Sequence, residues 1–175
     1  GKAQTTLENI NITLNNFLVD STKNYESIVS YFIKDVRATI ENIQLPESPT
    51  GSRINMEKVD YNAAKRTLAV GAITQYQQGN ADPVINLKNI KVTGLVTDAF
   101  IIQQRLKAGQ VSCDGGLITI YVKKNTGGSK PGEQTLEFSS GEIEQAQIAG
   151  ISLGNTKLVI INKDKPEKKP FVLNN

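Results

Sequence analysis

Twice in this chain an alternation of apolar and polar residues slips by one place and then resumes: Ile54, Met56, then Val59, Tyr61, and again Ile85, Leu87, then Ile90, Val92. Alternation puts one set of side chains on one face of a strand. A strand whose alternation slips turns that set to the wrong face unless the backbone bends, and a β-bulge that absorbs the extra residue is the usual device. Weaker slips occur at Leu7, Ile10, Ile12 and at Ile143, Ala146, Ile148. Repeated slips predict a repeatedly curved sheet of long strands. Their spacing is uneven, which excludes solenoids and propellers of fixed period.

Plain alternation fills much of the remaining chain, at Ile10, Ile12, Leu14; Val36, Ala38, Ile40; Leu68, Val70, Ala72; Ile118, Ile120, Val122; and Leu158, Ile160. Residues 46–51, 78–83, Asp114-Gly115-Gly116 and 125–132 are rich in Gly, Pro, Asn and Asp and are expected as turns. The expected fold is therefore mostly β: a curved, bulged antiparallel meander, closed as a groove or an elongated sandwich. One short helix is expected over Asp98 to Lys107, capped by Thr97 or Asp98 and stopped by Gly109. Residues 5–43 carry a second periodicity, with Ile10, Leu14, Phe17 and Ile28, Phe32, Val36, Ile40 at near-helical spacing. Strands are favoured there because Asn9, Asn11, Thr13, Asn15, Asn16 and Thr39 suit helix interiors poorly. Two helices ahead of a sheet would instead give a pilin-like subunit.

An apolar content of 38% with 6% aromatics and no Trp is lean for a closed globule and suits a thin, extended sheet. The 175 residues read as one β-rich domain or run of repeats over 1–163, followed by a polar tail or linker over 164–175. No run approaches the roughly 18 apolar residues of a membrane helix. The opening Gly1-Lys2-Ala3 lacks an initiator Met, from which we expect that a natural N-terminal anchor or signal has been removed. One Cys cannot make an internal disulfide.

Catalytic chemistry finds few candidates. The chain has no His, which removes the commonest general base, the usual serine triads and most zinc sites. Cys113 beside Asp114 has no partner base and is read as a small, half-buried residue at a strand end. Glu142 with Glu144, and Asp20 with Glu26, lack the dense oxygen spacing of a calcium loop. Gly115-Gly116 and Gly127-Gly128 lack phosphate-loop spacing, and the Asn11-Ile12-Thr13 sequon falls inside a strand. Net charge is +3 from 20 basic and 17 acidic residues, well mixed, so Tyr31, Phe32, Lys34 and Arg37 do not build a nucleic-acid face. No enzyme, cofactor, metal or nucleic-acid partner is expected.

The phrases in the middle of the chain build a family likeness. Arg53 to Tyr61 followed by Lys65 to Val70 reads as a bulged strand, a turn and a return strand. Ile85 to Gly94, the expected helix, Leu106 to Val111 and Leu117 to Lys124 follow in order. This succession resembles the AsmA-like and TamB-like envelope proteins of Gram-negative bacteria. The resemblance covers most of residues 50–163. It implies a repeating β-groove with an apolar concave face, anchored by an N-terminal membrane helix and reaching into the periplasm. It also implies a non-enzymatic role as a bridge or chaperone for lipid or outer-membrane components, with lipid or envelope protein as partner and the periplasm or cell envelope as location.

A curved sheet with one apolar face must cover that face with a helix, another sheet or a ligand such as an acyl chain. The residues expected to line such a groove are Ile54, Met56, Leu68, Val70, Ile85, Leu87, Ile118 and Ile120. The competing expectation is that they form an ordinary closed core. In that case the chain would serve as a structural or adhesive surface module.

Overall fold

The computed structural model describes residues 4–15, 35–48, 51–96, 105–122, 145–165 and 167–174. They form eight strands: β1 (Thr6–Leu14), β2 (Val36–Gln44), β3 (Arg53–Asn62), β4 (Thr67–Tyr76), β5 (Ile85–Thr93), β6 (Arg105–Val122), β7 (Gln145–Asn162) and β8 (Phe171–Asn174). All eight belong to one open sheet, ordered β1 to β8 as in the chain. The fold is mostly β and forms a single open sheet, and no second sheet that would make a sandwich exists among the described residues.

Several expectations are corrected. Arg105, Leu106 and Lys107, placed at the end of a helix over 98–107, open β6 instead; residues 98–104 of that helix lie outside the described residues. Leu106 and Ala108 alternate with polar neighbours, and this period-2 signal prevails over the capping signal. The meander is not antiparallel throughout, since β6 and β7 run parallel from Arg105↔Gln145 to Val122↔Asn162. Asp114-Gly115-Gly116 is no turn but lies within β6. Cys113 is accordingly a buried mid-strand residue. The described parts of 5–43 are strands β1 and β2, so the helices of the pilin-like alternative are absent from them. Within 164–175, Phe171–Asn174 form β8 against Lys157–Ile160.

The alternation slips have a different physical basis from the bulges expected. A bulge gives one strand an extra residue relative to its partner. Here both partners slip together. Between Glu8↔Asn42 and Ile10↔Ile40 one residue is left on each strand, Asn9 and Glu41. The same holds for Lys58 and Gly71 between β3 and β4, and for Gly71 and Asn89 between β4 and β5. Three residues separate Leu87↔Gly116 from Lys91↔Ser112 on both β5 and β6. Register is kept while β1 to β7 change phase along one line across the sheet, a line that the short β8 does not reach.

That line is made by left-handed backbone. Asn9, Lys58, Asn89 and Asn155 have φ near +50°, and Gly115 and Gly116 have φ of 103° and 138°. Asn tolerates this conformation better than most side chains, and Gly adopts it freely. Lys58 is the exception, at a cost of about 1–2 kcal/mol for an ordinary L-residue. Gly71, opposite it, leaves room for its stem, since a Cβ there would sit 3.0 Å from Lys58 Cβ. Replacing Lys58 with Gly relieves the strain but adds some unfolded-chain freedom. We expect Lys58→Gly to stabilise the protein by about 0.5–1 kcal/mol, read as a higher midpoint in urea unfolding.

Candidate functional site

Because β1 to β7 step together, their apolar residues stay on one face in rows. On one side of the line run Ile10, Ile40, Val59, Val70 and Ile90, each opposite the next. On the other side run Leu7, Ile43, Met56, Ile73, Leu87 and Gly116. Val59, Val70, Ile90 and Cys113 are buried, and Ile43, Met56, Ile73 and Leu87 from across the line pack against them. The rows on the two sides of the line thus pack on one another across it. This crease is the core of the molecule.

Further rows extend both walls. Ile54, Gln75, Ile85, Ile118, Leu158 and Leu173 stand opposite one another in succession, and Ile120, Ile160 and Phe171 lie beyond them. Ala38, Tyr61, Leu68, Val92, Val111 and Ile151 form the matching outer row of the other wall. All eight residues expected to line a groove, Ile54, Met56, Leu68, Val70, Ile85, Leu87, Ile118 and Ile120, therefore share one face. Val70 is buried and the other seven are half-buried.

A second crease serves β5 to β7 only. Gly94 has φ 68°, and a Cβ on it would meet Gly109 N at 3.1 Å, so the backbones approach closely there. Beyond it Leu95, 2% exposed, joins Val92 and Ala108 in a second buried cluster flanked by Tyr61, Leu68, Leu106 and Val111. Arg66 holds the turn by donating from Nε to Leu95 O at 3.2 Å and from Nη2 to Gly94 O at 3.4 Å. Of these residues, sequence reading assigned only Leu68 to the lining of a groove; Leu95 and Ala108 were not assigned to a wall. The slip from Ile148 to Ile151 was missed; of the slip expected at Ile143, Ala146 and Ile148, Ile143 lies outside the described residues.

Over β1 to β5 the opposite face is mostly polar, whereas over β6 to β8 it carries Leu117, Tyr121, Val159, Ile161 and Val172. Its polar part carries Glu57, Asp60, Lys88 and Lys91, each next in sequence to a residue of the apolar rows. There Arg37 Nη2 donates to Asp60 Oδ2 at 2.7 Å, and both side chains are exposed. The hydrogen bond and the charge of Asp60 raise the Arg37 pKa above its ordinary value. Asn42 Nδ2 donates to Glu8 at 3.1 Å, and Asn155 Nδ2 to Asp114 Oδ1 at 2.7 Å. The step line is thus tied by side-chain amides on its polar side. Cys113 Sγ donates to Gly115 O at 3.4 Å and lies 3.7 Å from Thr156 Oγ1, which places the thiol in the wall between β6 and β7.

With this geometry the site can exclude water from an apolar chain but offers little for bond chemistry. Among the described residues no three Cys, Asp or Glu side chains gather as a metal site would require. No helix among them is long and apolar enough to cross a membrane. Comparison with protein-family models, with curated proteins and with solved structures finds no match.

Proposed function

We propose that this chain is a non-enzymatic module of the cell envelope that holds the acyl chains of a lipid in the creased apolar face of its sheet. The observation that carries this reading is the succession of mainly apolar rows on one face of a single sheet, interrupted at Gln75, over which no described helix or second sheet lies. Such a face must be covered, and an acyl chain is a natural cover. The seven strands that cross the line, spaced about 4.8 Å apart, give a trough ~29 Å long. That is about the ~30 Å hydrocarbon thickness of a bilayer, or two acyl chains end to end. Each methylene taken from water contributes roughly 0.8 kcal/mol before the cost of association. The resemblance to AsmA-like and TamB-like proteins supports the same role and a periplasmic location.

The test is native mass spectrometry after incubation with vesicles of total envelope lipid. The expected result is retention of phospholipid by the wild type and its loss in Ile118→Asp. Ile118 stands in the wall between Ile85 and Leu158, away from the buried crease, so the variant should keep its β-sheet circular dichroism. A folded wild type that retains no lipid would sink the proposal. The structural or adhesive reading would then take its place.

A further inference from the structure

We infer, resting on the lipid-holding role proposed above, that Gln75 and the buried Ser52 form the point at which the trough recognises an ester carbonyl of an acyl glycerolipid. Gln75 is the one polar side chain in the row that runs from Ile54 to Leu173, with Ile54 opposite it on β3 and Ile85 opposite it on β5. It stands one place before β4 ends at Tyr76, so it sits at the lip of the wall, above Ile73 of the deeper row. The amide is already held. Its Nε2 donates to Ser52 Oγ at 2.8 Å, and Ser52 is only 7% exposed. Ser52 is fixed in turn, because its N–H donates to Ser48 Oγ at 2.9 Å and its carbonyl accepts from Ser48 N at 2.8 Å. A ligand therefore meets a preorganised group and is spared the entropy of ordering it.

A side-chain amide offers two N–H donors and two lone pairs. Among the described residues Ser52 is the only hydrogen-bond partner of the Gln75 side chain, so at least one N–H is left for a ligand. Water serves that group while the trough is open. Once hydrocarbon covers the wall the water is displaced, and a polar group left unpaired there is penalised. A purely hydrocarbon ligand is therefore disfavoured at β4, and one that brings an acceptor to the lip is favoured. The lack of charge selects the acceptor. Ile54, Ile73, Ile85 and Ser52, the neighbours of Gln75 in the sheet and through its hydrogen bond, carry none. Arg53 alternates to the other face, where its guanidinium lies 5.6 Å from the centre of the Tyr76 ring. A carboxylate or phosphate at Gln75 would lose its water without gaining a counter-ion, whereas an ester carbonyl carries no such cost. A glycerolipid bound by its ester here lays its acyl chains along the deeper rows and keeps its charged headgroup beyond the lip.

Competition between two lipids that differ only at the linkage reads this directly. Wild type and Gln75→Leu are each incubated with vesicles holding equal amounts of dioleoyl phosphatidylglycerol and its diether analogue, in which a methylene replaces each ester carbonyl. Native mass spectrometry then separates the retained lipids by mass. The wild type is expected to retain the ester form in about fivefold excess, which is what one hydrogen bond contributes. Gln75→Leu completes the apolar row and is expected to retain the two forms equally, with no less lipid in total. A wild type that retains both forms equally overturns the role of Gln75 and leaves the trough standing. One that retains neither removes the trough and this role together. A Gln75→Leu protein that keeps the ester preference places the recognition elsewhere and also overturns the assignment.

Discussion

Gly116→Ala is expected to cost about 4 kcal/mol of stability, the largest loss from adding a single methyl group anywhere in the described sheet. Two effects combine. Its φ of 138° is a conformation that L-residues rarely adopt, and a Cβ built on it would overlap the Asn86 carbonyl oxygen and lie 2.9 Å from Leu87 Cα. Both neighbours are backbone of β5, which cannot rotate away as a side chain could. Gly79→Ala separates the two effects: φ there is 80° but nothing lies within 4 Å of the added carbon. That variant should lose only about 1 kcal/mol. Urea unfolding of the two proteins measures the difference, and equal midpoint shifts would show that β5 and β6 do not approach as described.

Val70→Asp should be comparably damaging, at about 4 kcal/mol at neutral pH, for an electrostatic reason. Val70 is 4% exposed and sits among Val59, Ile90 and Cys113, which offer a carboxylate no cation and no strong donor. Burial disfavours the charged form, so the folded state holds the carboxyl proton more tightly than the unfolded state does. Stability of the variant should therefore rise as pH falls through the folded-state pKa toward the unfolded value, and decline as pH rises. Val70→Asn has the same shape without the charge. It should be less damaging at neutral pH, and the gap between the two should close on acidification. A gap independent of pH would mean that the crease admits water.

The strands themselves were legible because their alternation is strict, and the eight proposed lining residues share a face for the same reason. The phase slip was legible in β3 and β5, where two polar residues, Glu57-Lys58 and Lys88-Asn89, interrupt clear aliphatic runs. It was hidden in β4, where Gly71-Ala72 offers small residues that fit either phase, so Ala72 looked like a partner of Leu68 and Val70. Ala72 instead stands opposite Glu57 and Lys88, and Ile73 continues the apolar row. In β6 the residues that step a strand, Asp114-Gly115-Gly116, are those that also make turns. One signal went unused: Asn stands at the step in Glu8-Asn9-Ile10, Lys88-Asn89-Ile90 and Gly154-Asn155-Thr156. The parallel pairing of β6 with β7 was beyond reach, because local alternation is the same for either direction of the partner. Whether a layer covers the apolar face is likewise a property of long-range packing, which periodicity does not encode.

Strand order equal to chain order makes the described sheet a one-dimensional stack in which each strand is hydrogen-bonded to its immediate neighbours. Opening then proceeds inward from the ends like a zipper, and the strands around Val59, Val70 and Ile90 separate last. The same layout frees length from architecture. Gain or loss of a hairpin at either end alters the extent of the trough by two strand spacings and leaves the cross-section untouched, because the crease is set strand by strand and not by closure of the whole.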